Sequence, residues 1–174
     1  MKRLILIITV FLTTNCLFSQ EPISYSGVVE TDSVSKEILY KRGLLWIANA
    51  FKDSKEVIQL KDENSGQIIS KGTFKYNGKD DFYRGFIEFK LELYFKDGRY
   101  KYVITDFYHK GEMMNIGLIT NQEEAPFKAF GSTKFYRDRE WNNIKSEIGS
   151  TVNQLTESMQ KSITKPSEVE KDNW

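Results

Sequence analysis

One cysteine and one histidine in 174 residues leave this chain little material for thiol, imidazole or soft-metal chemistry. The cysteine, Cys16, lies in an N-terminal segment that reads as a leader. Lys2 and Arg3 precede an apolar run from Leu4 to Leu12 (LILIITVFL), which ends at Thr13-Thr14-Asn15 and is followed by Leu17, Phe18, Ser19 and Gln20. A positive start, a short apolar stretch and a small residue at the junction are what a secretory leader needs. We expect a signal peptide over residues 1–19, cleaved between Ser19 and Gln20. A bilayer span needs about 20 apolar residues, twice what this run supplies. Lipid attachment at Cys16 is the lesser alternative, because Asn15 is a poor residue to precede a modified cysteine.

Removing the leader removes the only thiol, which excludes thiolate catalysis, thiolate metal sites and a disulfide scaffold. Loss of Lys2 and Arg3 also turns the formal charge from +1 to −1. No long basic block appears, so a nucleic-acid partner is disfavoured. No second long apolar run appears, so no membrane span is expected after leader removal. No phosphate-binding loop or metal-ligand spacing stands out, and neither cofactor nor metal is expected. The class that fits is an exported domain, periplasmic or extracellular, held together by a hydrophobic core.

What is present is pattern. Residues 20–32 are a lead-in with a first strand at Ser26 to Thr31. Ser33 or Ser35 can cap a helix, in which Ile38, Leu45 and Ala48, flanked by Tyr40, Leu44, Ile47 and Phe51, form an apolar stripe with Lys36, Glu37, Lys41, Arg42, Asn49 and Lys52 outside it. Val57 to Lys61 and Gln67 to Tyr76 read as strands about an Asn64-Ser65-Gly66 turn, with Gly72 a bulge or close-packing point. Phe82 to Phe95 and Arg99 to His109 are long strands joined by Asp97-Gly98, a strong two-residue hairpin signal. That turn sets Lys96 against Arg99, Phe95 against Tyr100, Leu93 against Tyr102 and Leu91 against Ile104. Continued without interruption, it sets Phe89 against Asp106, Ile87 against Tyr108, Glu88 against Phe107 and Phe86 against His109. One face is then nearly all apolar, and the other is mixed and open to water. Residues 110–163 hold a long loop, with a possible edge strand in Met113 to Ile119, and a helix marked by Trp141, Ile144, Ile148, Val152, Leu155 and Met159. Residues 164–174 are a polar tail.

The stretch Ser33 to His109 resembles a family of secreted bacterial domains, domain of unknown function 4468. The resemblance is carried by Lys36-Glu37-Ile38-Leu39-Tyr40, Leu45-Trp46-Ile47, Phe51, Val57-Ile58-Gln59-Leu60-Lys61-Asp62, Ser65-Gly66, Lys71-Gly72 and Tyr102-Val103-Ile104-Thr105-Asp106-Phe107. It implies a TBP-like α+β fold, β-α-β-β-β-β-α, with an antiparallel sheet packed on one face by two helices. It implies no activity.

Four side chains are expected on the open face as a binding set: Phe86, Tyr94, Phe107 and His109. Aromatics there could meet a protein, peptide or glycan, unless residues 110–134 cover them. His109 as a general base oriented by Asp106 is disfavoured, since alternation points the two to opposite faces. Asp106 falls on the apolar face, where a carboxylate needs partners from helix-end or loop amides. Glu88, Lys90, Glu92 and Lys101 read as a cross-strand charge ladder. Met113-Met114 reads as edge or core filler. The expected function is a non-catalytic binding module. The alternative is a carboxylate-based hydrolase of envelope or extracellular glycans, which needs two carboxylates converging in a cleft.

Overall fold

In the computed structural model the described residues are 21–51, 57–129, 131–166 and 170. The leader, Cys16, the Ser19–Gln20 junction and most of the polar tail lie outside them. Ser35 opens helix α1 (Lys36–Ala50), its hydroxyl accepting the Ile38 amide at 3.4 Å. Asp97, from the hairpin, accepts the Lys36 amide at 2.7 Å, so two of the helix's orphan donors are satisfied by side chains far apart in sequence.

Strands β1 (Tyr25–Glu30), β2 (Ile58–Asp62), β3 (Gln67–Tyr76), β4 (Gly85–Lys96), β5 (Arg99–Gly111) and the short β6 (Gly117–Leu118) form one antiparallel sheet. Its order is β1-β5-β4-β3-β2, with β6 also on β5. The Asp97-Gly98 turn is as read, with Gly98 at φ 73° and the register running from Lys96–Arg99 to Leu91–Ile104. Helix α2 (Lys134–Thr164) starts about two turns earlier than its apolar repeat and ends before Pro166. Its Trp141, Ile144, Ile148, Val152 and Met159 are buried, joining Ile87, Phe89, Leu91, Leu93 and Phe95 of β4 and Leu39, Tyr40, Trp46 and Ile47 of α1 in one core. The α+β architecture, with both helices on one sheet face, is as expected.

The buried face of α1 differs from the stripe first read. Ile38 and Leu45 are 41% and 45% exposed, while Leu39, Arg42, Gly43, Trp46 and Ile47 turn inward. Gly43 explains the rotation. A Cβ there would stand inside contact distance of the Phe95 ring, so the helix rests on the sheet at its one position without a side chain. Arg42, expected outside, is buried because its charge is met: Nη1 donates to the Ile163 carbonyl at 3.1 Å and Nη2 pairs with Glu170 at 2.6 Å. A buried guanidinium needs that kind of pairing.

The described residues of 110–134 do not lie over the open face. Phe127 packs against Trp141 and Tyr83, and the Gln122 carbonyl accepts from Trp141 Nε1 and Lys145 Nζ, each at 2.8 Å. Of Met113 to Ile119, only Gly117–Leu118 forms strand. Met113 is exposed and Met114 packs on the core.

Gly72 is a close-packing point. It faces Phe89 across β3 and β4, and the ring occupies the space a Cβ would need. Gly72→Val should therefore cost about 1–3 kcal/mol, the usual effect of forcing carbons into a packed core. Thr73→Val, next door and exposed, should stay within about 0.5 kcal/mol. Urea unfolding reads both, and equal midpoints would show that Phe89 has room to move.

Candidate functional site

The expected register holds from the turn to Lys90–Thr105 and then breaks. Glu88 pairs with Tyr108, and Ile87 with His109, so Asp106 and Phe107 together oppose Phe89. This is a β-bulge, and Asp106 adopts φ 57° within it. Asp is among the few non-glycine residues that accept the left-handed region readily. One extra residue inverts the side-chain alternation of everything beyond it.

The inversion corrects three expectations. Phe107 and His109 are not on the open face: they are 1% and 0% exposed, inside the core. Asp106 is not on the apolar face: its side chain is half exposed and meets Lys90 Nζ at 3.2 Å. Tyr108, expected inward, faces water opposite Leu118. The physical reason is the carboxylate. An unbroken strand would bury Asp106 among apolar rings, which costs several kcal/mol without partners. A single left-handed residue costs about 1–2 kcal/mol, and Phe107 gains a stacked contact with Phe89 at 5.9 Å.

His109 is a structural tie. Its Nε2 lies 2.9 Å from the Tyr83 carbonyl and so carries the proton; its Nδ1 accepts the Ile116 amide at 3.3 Å. Burial holds its pKa below the ordinary imidazole value. Its ring edge meets Tyr76 at 5.8 Å. Tyr76 in turn donates to the buried Glu140 carboxylate at 2.6 Å, and Asn143 donates to the same carboxylate at 3.2 Å. Burial and Glu140 push the Tyr76 phenol up. The group links β3, β5 and α2, with both histidine nitrogens engaged.

The open face keeps two of the four expected residues, Phe86 and Tyr94. Sequence reading missed two. Tyr108 takes the place given to Phe107, and Val28 stands 57% exposed on edge strand β1. Asp106 was the available signal for the first, because Asp is depleted in strands and tolerates positive φ. Down the middle of the face runs the charge ladder. Lys110 pairs with Glu88 at 2.6 Å, and Lys90 with Glu92 at 3.0 Å as well as with Asp106. The Tyr94 hydroxyl donates to Glu92. That hydroxyl and the Lys90 ammonium hold the Glu92 carboxyl below its usual range. Glu92 and Asp106 thus converge on one ammonium; for Glu92 to serve as a general acid, its pKa would have to move the other way.

At the hairpin end the face opens into a groove of about 550 Å³, lined by Val28, Tyr94, Val103, Lys96, Arg99 and Lys101 among others. Among the described residues no cluster of His, Cys, Asp and Glu could hold a metal, and no helix is long and apolar enough to cross a membrane.

The family described as "Domain of unknown function (DUF4468) with TBP-like fold" matches residues 25–110. A TBP-like protein from Parabacteroides distasonis ATCC 8503 has a similar structure, with TM-score 0.56, 14% identity, and coverage of 81% of this chain and 94% of that one. So does a DUF4468 family protein from Bacteroides ovatus ATCC 8483, with TM-score 0.55, 14% identity, and coverage of 83% and 90%. At that identity the likeness shows the fold alone. No curated protein matches the chain.

Two predictions follow from the bulge. Asp106→Gly should keep the register and change stability by less than about 1 kcal/mol, since an exposed ion pair contributes little. Asp106→Val, β-branched at positive φ, should cost about 1–2 kcal/mol. Equal stability of the two would show that the backbone there is unstrained. For His109, the folded pKa lies below the unfolded value of about 6.5, so the unfolded state binds more protons. Its contribution is complete above the unfolded pKa and is lost as pH falls toward the folded one. His109→Gln should be less stable than wild type at pH 7.5, with the gap narrowing by pH 5.5 in urea titrations. A gap that stays constant would mean that the imidazole titrates alike in both states.

Proposed function

Through residues 25–110 the chain belongs to the DUF4468 family with its TBP-like fold, and from that premise we propose that it is an exported, non-catalytic binding module that takes its ligand on the open sheet face. The observation that carries this is the groove beside Val28, Tyr94 and Val103 on a sheet face that no other part of the described chain covers. A volume of about 550 Å³ suits a small-molecule site. Phe86, Tyr108 and Leu118 are exposed at the opposite end of the same face, and they extend the contact surface. Export rests on the leader pattern from Lys2 to Ser19, and an exported chain would carry the site in the periplasm or outside the cell. Glu88, Glu92 and Asp106 along the middle of the face oppose a nucleic-acid backbone.

The test is an amide-resolved NMR titration of the ¹⁵N-labelled mature chain with a solvent extract of an envelope fraction. Shifts should gather on Val28, Tyr94, Val103 and Tyr108, and Tyr94→Ala should reduce them. Shifts confined to α1 and α2, or none, would reject this face as the binding surface.

A further inference from the structure

The groove's chemistry narrows its ligand. Lys96 and Arg99 are direct cross-strand partners, with Lys101 next along the same face of β5. Like charges set opposite each other destabilise a sheet unless an anion lies between them. The nearby carboxylates meet them only in part: Glu92 lines the groove and its charge reaches Lys101, but it forms no ion pair with Lys96 or Lys101. Asp97 is turned away to hold the Lys36 amide at 2.7 Å, and Glu92 is engaged by Lys90 and Tyr94. Glu30 reaches Arg99 only at 4.0 Å. Lys96 and Lys101 make no ion pair among the described residues. The groove therefore has a cationic rim with unused donors, above a floor of Val28, Val103 and the Tyr94 ring.

Other ligand classes fit poorly. The floor of the groove is a sheet face, where the backbone groups of β4 and β5 are paired within the ladder and only the outer side of edge strand β1 is not. A peptide lying in the groove would find no main-chain partners on that floor, although such bonds supply much of the affinity in strand addition. A neutral glycan carries no charge and would leave the three cations of the groove without a counter-ion. Here Tyr94 already donates to Glu92, and the remaining polar groups are the three cations.

Resting on the binding reading above, we infer that the groove takes a free single-chain amphiphile with a carboxylate head, of the medium-chain fatty-acid type. The chain would lie across Val28, Val103 and Tyr94. The head would sit between Arg99 and Lys101, with Lys96 adding field. Arg suits this role because its fork meets both oxygens of a carboxylate.

The probe is dodecanoate below its micelle concentration, titrated into the mature protein by calorimetry and NMR. Dodecanol, dodecyltrimethylammonium and a short acidic apolar peptide serve as comparisons. Dodecanoate should shift the amides of Val28, Arg99, Lys101 and Val103, bind more tightly than the comparison ligands, and weaken as salt is raised. The double variant Arg99→Gln/Lys101→Gln, at exposed positions, should weaken dodecanoate about tenfold, the loss expected for one charge-assisted hydrogen bond. It should leave dodecanol within about twofold, a difference well below one hydrogen bond. If dodecanol binds in the groove as well as dodecanoate and the double variant alters neither, the open face stands as a binding surface and the anionic-head inference is overturned. Tighter binding of the peptide, or dodecanoate shifts confined to the helix layer, overturns it equally. The extract titration judges the broader reading separately.

Discussion

The left-handed turn of backbone at Asp106 is the constraint on which the far half of the domain depends. It moves one carboxylate out of the core and brings two rings in. Phe107 then stacks on Phe89 and meets Tyr25 edge-on at 5.9 Å. His109 ties the Tyr83 carbonyl before β4 to the Ile116 amide before β6. The alternative register would trade an apolar ring for a buried charge, and buried unpaired charge is the more expensive of the two. A residue with little β propensity is thus required in the middle of the longest strand.

The same bulge divides the sheet into two regimes. On the turn side, register and face follow from Asp97-Gly98 alone, and the core pairs Phe95–Tyr100 and Leu91–Ile104 stand where alternation puts them. Beyond Asp106 every face assignment on β5 inverts. Both regimes obey period two, so the hydrophobic pattern of Phe107-Tyr108-His109 could not reveal the shift: a ring or imidazole is available for either face. The identity of Asp106 was the only local clue, and its meaning depends on Phe89 and Lys90 opposite.

Helix α1 shows a second limit of pattern. Its apolar residues nearly encircle it, so periodicity located the helix without locating its buried edge. Gly43 and Arg42 decided that edge, the first by its missing side chain against Phe95 and the second through partners at Ile163 and Glu170. Helix α2 carries a narrower stripe, and Trp141, Ile144, Ile148, Val152 and Met159 were all legible as core. Legibility here follows the width of the apolar arc. A narrow stripe has one way to be buried, whereas a broad one is oriented by contacts remote in sequence.

The candidate site was half legible for a related reason. Phe86 and Tyr94 lie on β4, which runs without a bulge of its own, so their outward direction followed from the hairpin. Tyr108 and Val28 needed the three-dimensional pairing of β5 with β6 and β1. The charges were visible all along, but their availability was not. Asp97 and Glu92 cancel Lys96 and Lys101 in any count along the chain. Only the fold commits Asp97 to the start of α1 and Glu92 to Lys90 and Tyr94. The capping bond that anchors the first helix thus also removes a carboxylate from the groove's edge. Stability on the covered face and positive potential on the open one come from the same two-residue turn.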